Sequence, residues 1–453
     1  MNIKKSIFLL STLLLLLAGC SSDSGDNQIG STTQDSTNTT NTTTTSLTAD
    51  GILNTAFGVD GILTDNNASG GNSTDSGYSI VMGSDDTMYI AGYSKNSSNY
   101  DMTLWNYNKD GTLNTSFGTD GIVTDNNASG ANSDDRGKAV VLDSNGKIYV
   151  TGITKNSSDY DMAIWSYNQD GTLNTAFSTD GIVTDNNASG ANSVDRGKAI
   201  AIGANTKIYV AGVTYNRSNY DMALWSYNQD GTLNTAFGGG DGILTESNVS
   251  GGDGHDYATA ITLDPDDKIY ITGYSYNTSA TKDMVLWSYN QDGTVNTTFG
   301  TDGVVIDHNA SGTNSNKSGL AIALDSKDII YVAGTIANDI ALWSYNKDGT
   351  ANTSFGENGV SVFNPAASGC NGEAITIDSN DDIFISGHCD EKMITVKFDS
   401  TGNIASSTFG INGYVEESIN SIAHGIVFSE GELYITGEKY INSSTDMAIW
   451  NYK

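Results

Sequence analysis

The stretch "DMALWSYNQDGTLNTAFG", Asp221 to Gly238, constrains this chain more than any other feature. It recurs with small changes from Asp101, Asp161 and Asp283. The chain also carries the second half alone, "DGILNTAFG" from Asp50, and ends on the first half alone, "DMAIWNYK" from Asp446. The turn glycine of the repeat falls at Gly51, Gly111, Gly171, Gly231, Gly293, Gly349 and Gly402. The Trp of the "LW" step falls at Trp105, Trp165, Trp225, Trp287, Trp343 and Trp450, with Val396 in the sixth place. Both series have seven members. Units of about 60 residues without helical periodicity predict the blades of a β-propeller.

One unit reads as four strands. "GKAVVLD" (Gly137 to Asp143) is a short, mostly apolar inner strand, and "SNGK" turns it into "IYVTG" (Ile148 to Gly152). In "DMAIWSYN", Met162 and Ile164 alternate with Ala163, Trp165 and Tyr167, so both faces of the sheet need cover, as in a blade between two neighbours. After "QDGT", the segment "LNTAFSTDGIVTD" forms the outer edge, bent near Ser178 to Gly181. The split repeat then has a purpose. The last unit lacks its outer strand and the N-terminal half-unit is an outer strand without a blade, so pairing them closes the ring and removes two open edges. The expected contact is Ile52 to Thr64 against Met447 to Tyr452. A linear β-solenoid has no use for such a cut.

The repeat "GKIYVTG…WSYNQDGTLNTAFS" resembles the delta-60 repeat family of bacterial propellers, over residues 49 to 453 and most clearly in the first five units. The sixth, "ITVKFDSTGNIASSTFG", has drifted. The resemblance implies an all-β, seven-bladed propeller of four-stranded antiparallel blades, and no particular chemistry.

The first residues, "MNIKKSIFLLSTLLLLLAGC", have a positive start at Lys4 and Lys5 and an apolar run too short for a comfortable membrane span. Leu17-Ala18-Gly19-Cys20 resembles the bacterial lipobox, which implies a signal peptide over 1–19, acylation of Cys20 and membrane anchoring through several acyl chains. Ser21 in place of Asp favours an outer-membrane or surface address in the cell envelope. Residues 20–48, rich in Ser, Thr and Asn, form a flexible tether, and 49–453 the propeller.

With 53 Asp and Glu against 21 Lys and Arg, a net of −32, the surface repels phosphate backbones, and nucleic acid is not expected as a partner. Calcium is compatible with it. His255, His308, His388 and His424 sit in different units without a recurring partner at ligand spacing, so no zinc site is expected. No GxSxG, P-loop or HExxH pattern occurs. "NQDGTLN" is better read as a hairpin turn than as a calcium loop. Cys370 and Cys389, counted outward from a turn at Asn380 and Asp381, fall nearly opposite each other and predict a disulfide.

The loop "TDNNASGANSDDRG" (Thr124 to Gly137) has copies at Thr64 and Thr184 and looser ones at Thr245 and Ile306. It should share a rim with the "NSSDYD" loop (Asn156 to Asp161), the short turns taking the other rim. A ligand is expected on the long-loop rim, with Asp65, Asp125, Asn126, Asn127, Asp135 and Asp185 as candidate ligand or calcium residues. Two readings compete. A non-catalytic binding propeller for a glycan or protein predicts equivalent sites around the ring. An extracytoplasmic lyase or hydrolase acting on a polymer predicts one asymmetric cluster near the central channel.

Overall fold

The computed structural model describes residues 50–453 apart from 71–73, 131, 191–192, 252–253, 308–314, 366–368, 418–419 and 442–443. The leader, Cys20, the tether and His308 lie outside the described residues. The described strands form seven four-stranded sheets, each an antiparallel meander. The second blade is typical: β6 (Asp135–Leu142) is innermost, followed by β7 (Ile148–Lys155), β8 (Tyr160–Tyr167) and β9 (Ile182–Asp185).

Turn chemistry sets these boundaries. Between β6 and β7 the Asp143 carboxylate accepts the amides of Asn145 at 2.8 Å and Lys147 at 2.9 Å. In "QDGT" the Asp170 carboxylate takes the Thr172 amide at 2.9 Å and hydroxyl at 2.6 Å, an Asx turn repeated at Asp230 and Asp292. Gly171 has φ +81°, and a Cβ there would lie 2.6 Å from the Gly118 nitrogen of the preceding blade, so only glycine fits.

The outer edge is shorter than its sequence suggests. Leu173 makes a single bridge to Tyr167, the chain bends through Ser178 (φ 57°) and Gly181 (φ 96°), and only Ile182–Asp185 is a strand. The intervening Phe177 is fully buried and packs edge-on against Tyr149 at 5.6 Å. The bend serves to plug the interblade core with that ring.

The ring closes as the split repeat requires. The N-terminal strand β1 (Ile62–Asp65) pairs antiparallel with β28 (Ser444–Tyr452), Ile62 opposite Trp450 and Asp65 opposite Met447. Asp50 completes a second circuit. In other blades a turn carbonyl accepts an amide from the preceding blade, as Asp230 does from Ser178 at 2.7 Å; the Asp50 carbonyl accepts from Gly410 at 2.9 Å.

The core lies between blades. Met162 and Ile164 of β8 pack on Ala223, Trp225 and Tyr227 of the next blade, while Ala163, Trp165 and Tyr167 pack back on Met102 and Leu104. All six Trp are fully buried. Closure is of the same kind, Met447 and Ile449 meeting Trp105 and Tyr107.

In the sixth blade Cys370 and Cys389 form a disulfide, S–S 2.11 Å, where β22 (Asn371–Ile377) pairs with β23 (Ile383–Cys389). The expected register holds: Asn371 faces His388. Each inner strand also carries a bulge that periodicity did not foretell, leaving one residue unpaired. These are Tyr78, Lys138, Lys198, Thr259, Leu320, Glu373 and His424. A bulge re-aims its side chain out of the sheet.

Candidate functional site at the channel mouth

The long loops and interstrand loops share one rim, as expected. Asn99, in the loop before β4 (Tyr100–Asn108), donates to Asn132 Oδ1 at 2.7 Å and to the Ser133 carbonyl at 2.5 Å. The acidic candidates on this rim are used mainly in bracing. Asp125 Oδ1 accepts the indole N–H of Trp165 and the amide of Asn127, both at 3.2 Å. Asp185 does the same for Trp225 and Asn187, at 3.2 and 3.1 Å. Asp65 accepts the Asn67 amide at 3.3 Å. The Asn126 and Asn127 carbonyls accept turn amides from Ser133 and Gly130. Asp125 and Asp185 thus tie one blade's outer strand to the next blade's Trp, while Asp65, Asn126 and Asn127 hold turns within their own loops.

Asp135 differs. It is fully buried, and neither carboxylate oxygen has a hydrogen-bond partner; Asp75 and Asp195 repeat the arrangement. Burial pushes the Asp135 carboxyl up to about 7; the Thr154 hydroxyl opposes this without reaching hydrogen-bond geometry, and Asp125 and Asp101 reinforce it. Among the described residues no three His, Cys, Asp or Glu side chains are arranged to hold a metal ion.

The polar groups that do converge lie in the channel, and sequence spacing did not connect them. His424 Nδ1 lies 2.6 Å from Glu373 Oε2, and His388 Nδ1 lies 3.3 Å from Glu373 Oε1. Glu438 Oε1 stands 3.9 Å from His424 Nε2. The Tyr78 ring stacks on the His424 imidazole at 4.5 Å, and Lys138 Nζ sits 3.4 Å from the Tyr78 ring centre. Lys198 follows in the next blade.

The cluster therefore runs Lys198, Lys138, Tyr78, His424, Glu373, His388 across five consecutive blades, basic at one end and acid–imidazole at the other. Burial works against charge on His424, but the hydrogen bond to Glu373 and the nearby Glu438 carboxylate outweigh it and lift the imidazole to about 9. Glu373 is the mirror case: burial raises it, while His388 and His424 bring it down to about 2. Burial, with Lys198 and Arg136 nearby, pushes the Lys138 amine well below its ordinary range. His255 plays another part, its Nδ1 accepting the Tyr220 amide at 2.9 Å.

The sequence signal for this cluster was the bulge position itself. Aligned on the inner-strand glycine or alanine, the next residue is Tyr, Lys, Lys, Thr, Leu, Glu and His in turn, a variable column beside a nearly invariant one.

The fold defines a seven-bladed propeller with an asymmetric polar channel mouth. Four stretches, 83–117, 144–177, 205–237 and 265–299, match the repeat family described as "Domain of unknown function (DUF5122) beta-propeller". No curated protein matches the chain. Among solved structures it is similar to virginiamycin B lyase from Staphylococcus aureus, with 13% identity, 86% of this chain and 98% of that one covered, and a TM-score of 0.42. It is also similar to the polysaccharide lyase Uly1 (11%, 90% and 97%, 0.47) and to Drosophila Plexin A in complex with Semaphorin 1b (9%, 90% and 88%, 0.44). Likenesses at this level assign no chemistry.

Proposed function

We propose that this chain is a lipid-anchored binding propeller of the bacterial cell envelope, tethered through Cys20, which takes one ligand at the mouth of its central channel. The observation that carries the reading is the broken symmetry of the bulge positions. Backbone, turns and interblade cores repeat, yet these side chains differ from blade to blade and assemble one polar cluster. Repeated rim loops would give several equivalent sites; this arrangement gives one, so the binding reading moves from many rim sites to a single channel site, and the asymmetry itself is shared with the catalytic reading.

The test is calorimetry of the intact protein against a panel of neutral, acidic and basic saccharides and peptides. One ligand per chain is expected, with binding lost in Glu373→Gln and kept in Asp125→Ala. Several ligands per chain, or loss only in Asp125→Ala, would return the site to the rim loops.

A second reading, an extracytoplasmic lyase or hydrolase acting on a polymer, draws on one observation. His424 is held protonated while the Lys138 amine, joined to it through Tyr78, is driven towards neutrality, so an acid and a base stand in one cluster. Turnover of the bound ligand that disappears in His424→Gln supports catalysis; binding without turnover leaves the binding reading.

A further inference from the structure

We propose that the ligand at the channel mouth is a short acidic saccharide or chain end, whose carboxylate or sulfate group sits on Lys138 and Lys198. This rests on the single-site channel reading above.

The first ground is how the chain treats its other cations. Some of the other lysines have a neutral acceptor, as Lys147, Lys207 and Lys268 do on the side-chain oxygens of Asn168, Asn228 and Asn290, and others have a carboxylate. Lys327, Lys392 and Lys397 each lie within 4.0 Å of one, and Lys347 lies within that distance of three. Lys138 and Lys198 hold the same bulge position in adjacent blades, half-buried, and among the described residues neither makes an ion pair. Two like charges placed side by side out of bulk water destabilise a fold unless something compensates. Glu373 and Glu438 stand beyond Tyr78 on His424, and Asp134 on the basic side lies against Arg136 at 3.7 Å, so neither lysine has a carboxylate of its own.

The second ground is the set of donors and ring faces beside it. Arg136 lies over the Tyr100 ring at 4.1 Å and the Tyr93 ring at 5.2 Å. Arg196 lies 5.6 Å from both Tyr160 and Tyr220. The Nε of each arginine is buried with no hydrogen-bond partner. Tyr100, Tyr160 and Tyr220 are only half-buried, each presenting an apolar face with a hydroxyl edge. Sugars combine apolar C–H faces with hydroxyl edges and match such surfaces, and the fixed guanidinium forks suit carboxylate or sulfate oxygens. The net charge of −32 limits how much polyanion can approach, which favours a chain end or short oligomer over an extended polyanion.

The reading carries a proton signature. Burial pushes both amines down, helped by Lys198 and Arg136 at Lys138 and by Arg196 at Lys198, so an arriving anion restores their charge and binding draws protons from solution.

The test uses the intact protein and oligogalacturonates of two to six residues, a sulfated oligosaccharide, neutral oligosaccharides of equal length, and an acidic peptide. Acidic saccharides should bind at least tenfold more tightly than neutral ones. Lys138→Ala and Lys198→Ala should each weaken binding tenfold or more with a melting temperature no lower than wild type, and Lys138→Arg should retain binding. Titration in buffers of different ionisation enthalpy should reveal proton uptake, reduced in Lys198→Ala. Equal affinity for neutral saccharides, preference for the acidic peptide, or absent proton uptake overturns the proposal. If neutral or basic ligands bind and Glu373→Gln abolishes this, the channel reading stands and the acidic-ligand proposal falls. If nothing in the panel binds, both fall.

Discussion

The first four blades and the last three share a backbone but treat one position quite differently. At the start of the inner strand, two residues before the bulged step, blades one to four carry Asp75, Asp135, Asp195 and Asp256, each facing a Ser or Thr on the second strand. The fifth blade has Lys317 there, near Asp307 at 4.0 Å, the sixth has the Cys370–Cys389 disulfide, and the seventh has Ser421. The same split runs through the channel. Glu373, His388, His424 and Glu438 all belong to the sixth and seventh units, whose repeat pattern is weakest, while the family match falls entirely within the first four. Regular repeats supply the frame; the drifted ones supply the acid–imidazole half of the site.

The largest expected effect tests whether the frame depends on its split unit. Deleting residues 49–65 removes β1, its bridge to β28 and the Asp50 carbonyl that accepts from Gly410. It also opens the edge of β28 and removes Phe57 and Leu63 from the cluster of Met447 and Ile449, and Leu53 and Ile62 from that of Trp450. The variant should lose cooperative unfolding or melt about 5 °C or more lower, by calorimetry, since several kcal/mol moves the Tm of a ring this size by such amounts. Full thermal stability would break the closure argument.

Next is the drifted half. Glu373→Gln leaves the charged His424 without its main partner in a buried setting, a change of about 3 kcal/mol. Its pH dependence has two limbs. His424 holds its proton to about 9 against 6.5 when free, so its contribution is complete below 6.5 and gone above about 9. Glu373 is held near 2 against 4.5, so its contribution is complete above 4.5 and fades as pH falls towards 2. Denaturant melts should place wild-type stability from this pair at its fullest between pH 4.5 and 6.5, with both flanks flattened in the variant. A variant with an unchanged profile would mean the pair is ornamental.

The disulfide comes third. Opening it by Cys370→Ser with Cys389→Ser should cost about 3 kcal/mol, from a 19-residue separation and without change elsewhere in the ring. Loss of less than about 1 kcal/mol would show that the sixth blade is held by its neighbours alone.

Much of this fold was legible because a propeller writes its rules seven times. The Trp and Gly columns, the alternation in β8 and the half-units at the ends each had one physical solution. The disulfide was legible too, since register follows from counting outward from a turn. The site was not. His388 and His424 lie 36 positions apart in different units and meet only through Glu373, on a bulge that shifts side-chain phase by one residue. Counting periodicity assumes that phase is kept. Asp125 and Asp185 drew attention because their loops repeat, and in the structure each also braces the indole of the next blade, Trp165 and Trp225.

The last effect returns to the position on which the two halves differ. Asp135 is neutral in the fold up to about pH 7 and ionises near 3.8 when free. A group so raised favours the fold most below 3.8 and loses that contribution as pH climbs through 7, because the buried carboxylate then forms without a partner. Asp135→Asn keeps the shape and cannot ionise. It should therefore match wild type near pH 3, diverge from it through the range between 3.8 and 7, and exceed it by about 3 kcal/mol at pH 8. The sixth blade, with a disulfide at this position, has no carboxylate there to titrate, so reducing it should leave the slope between pH 5 and 8 unchanged. Added calcium gives the comparison its edge. If millimolar calcium abolishes the wild-type loss at pH 8 but does nothing for Asp135→Asn, the buried carboxylate is a cation ligand and the rim regains a binding role. If calcium leaves both curves alone, the Asp positions of the regular half are titrating structural groups, and the chemistry of this propeller is confined to its channel.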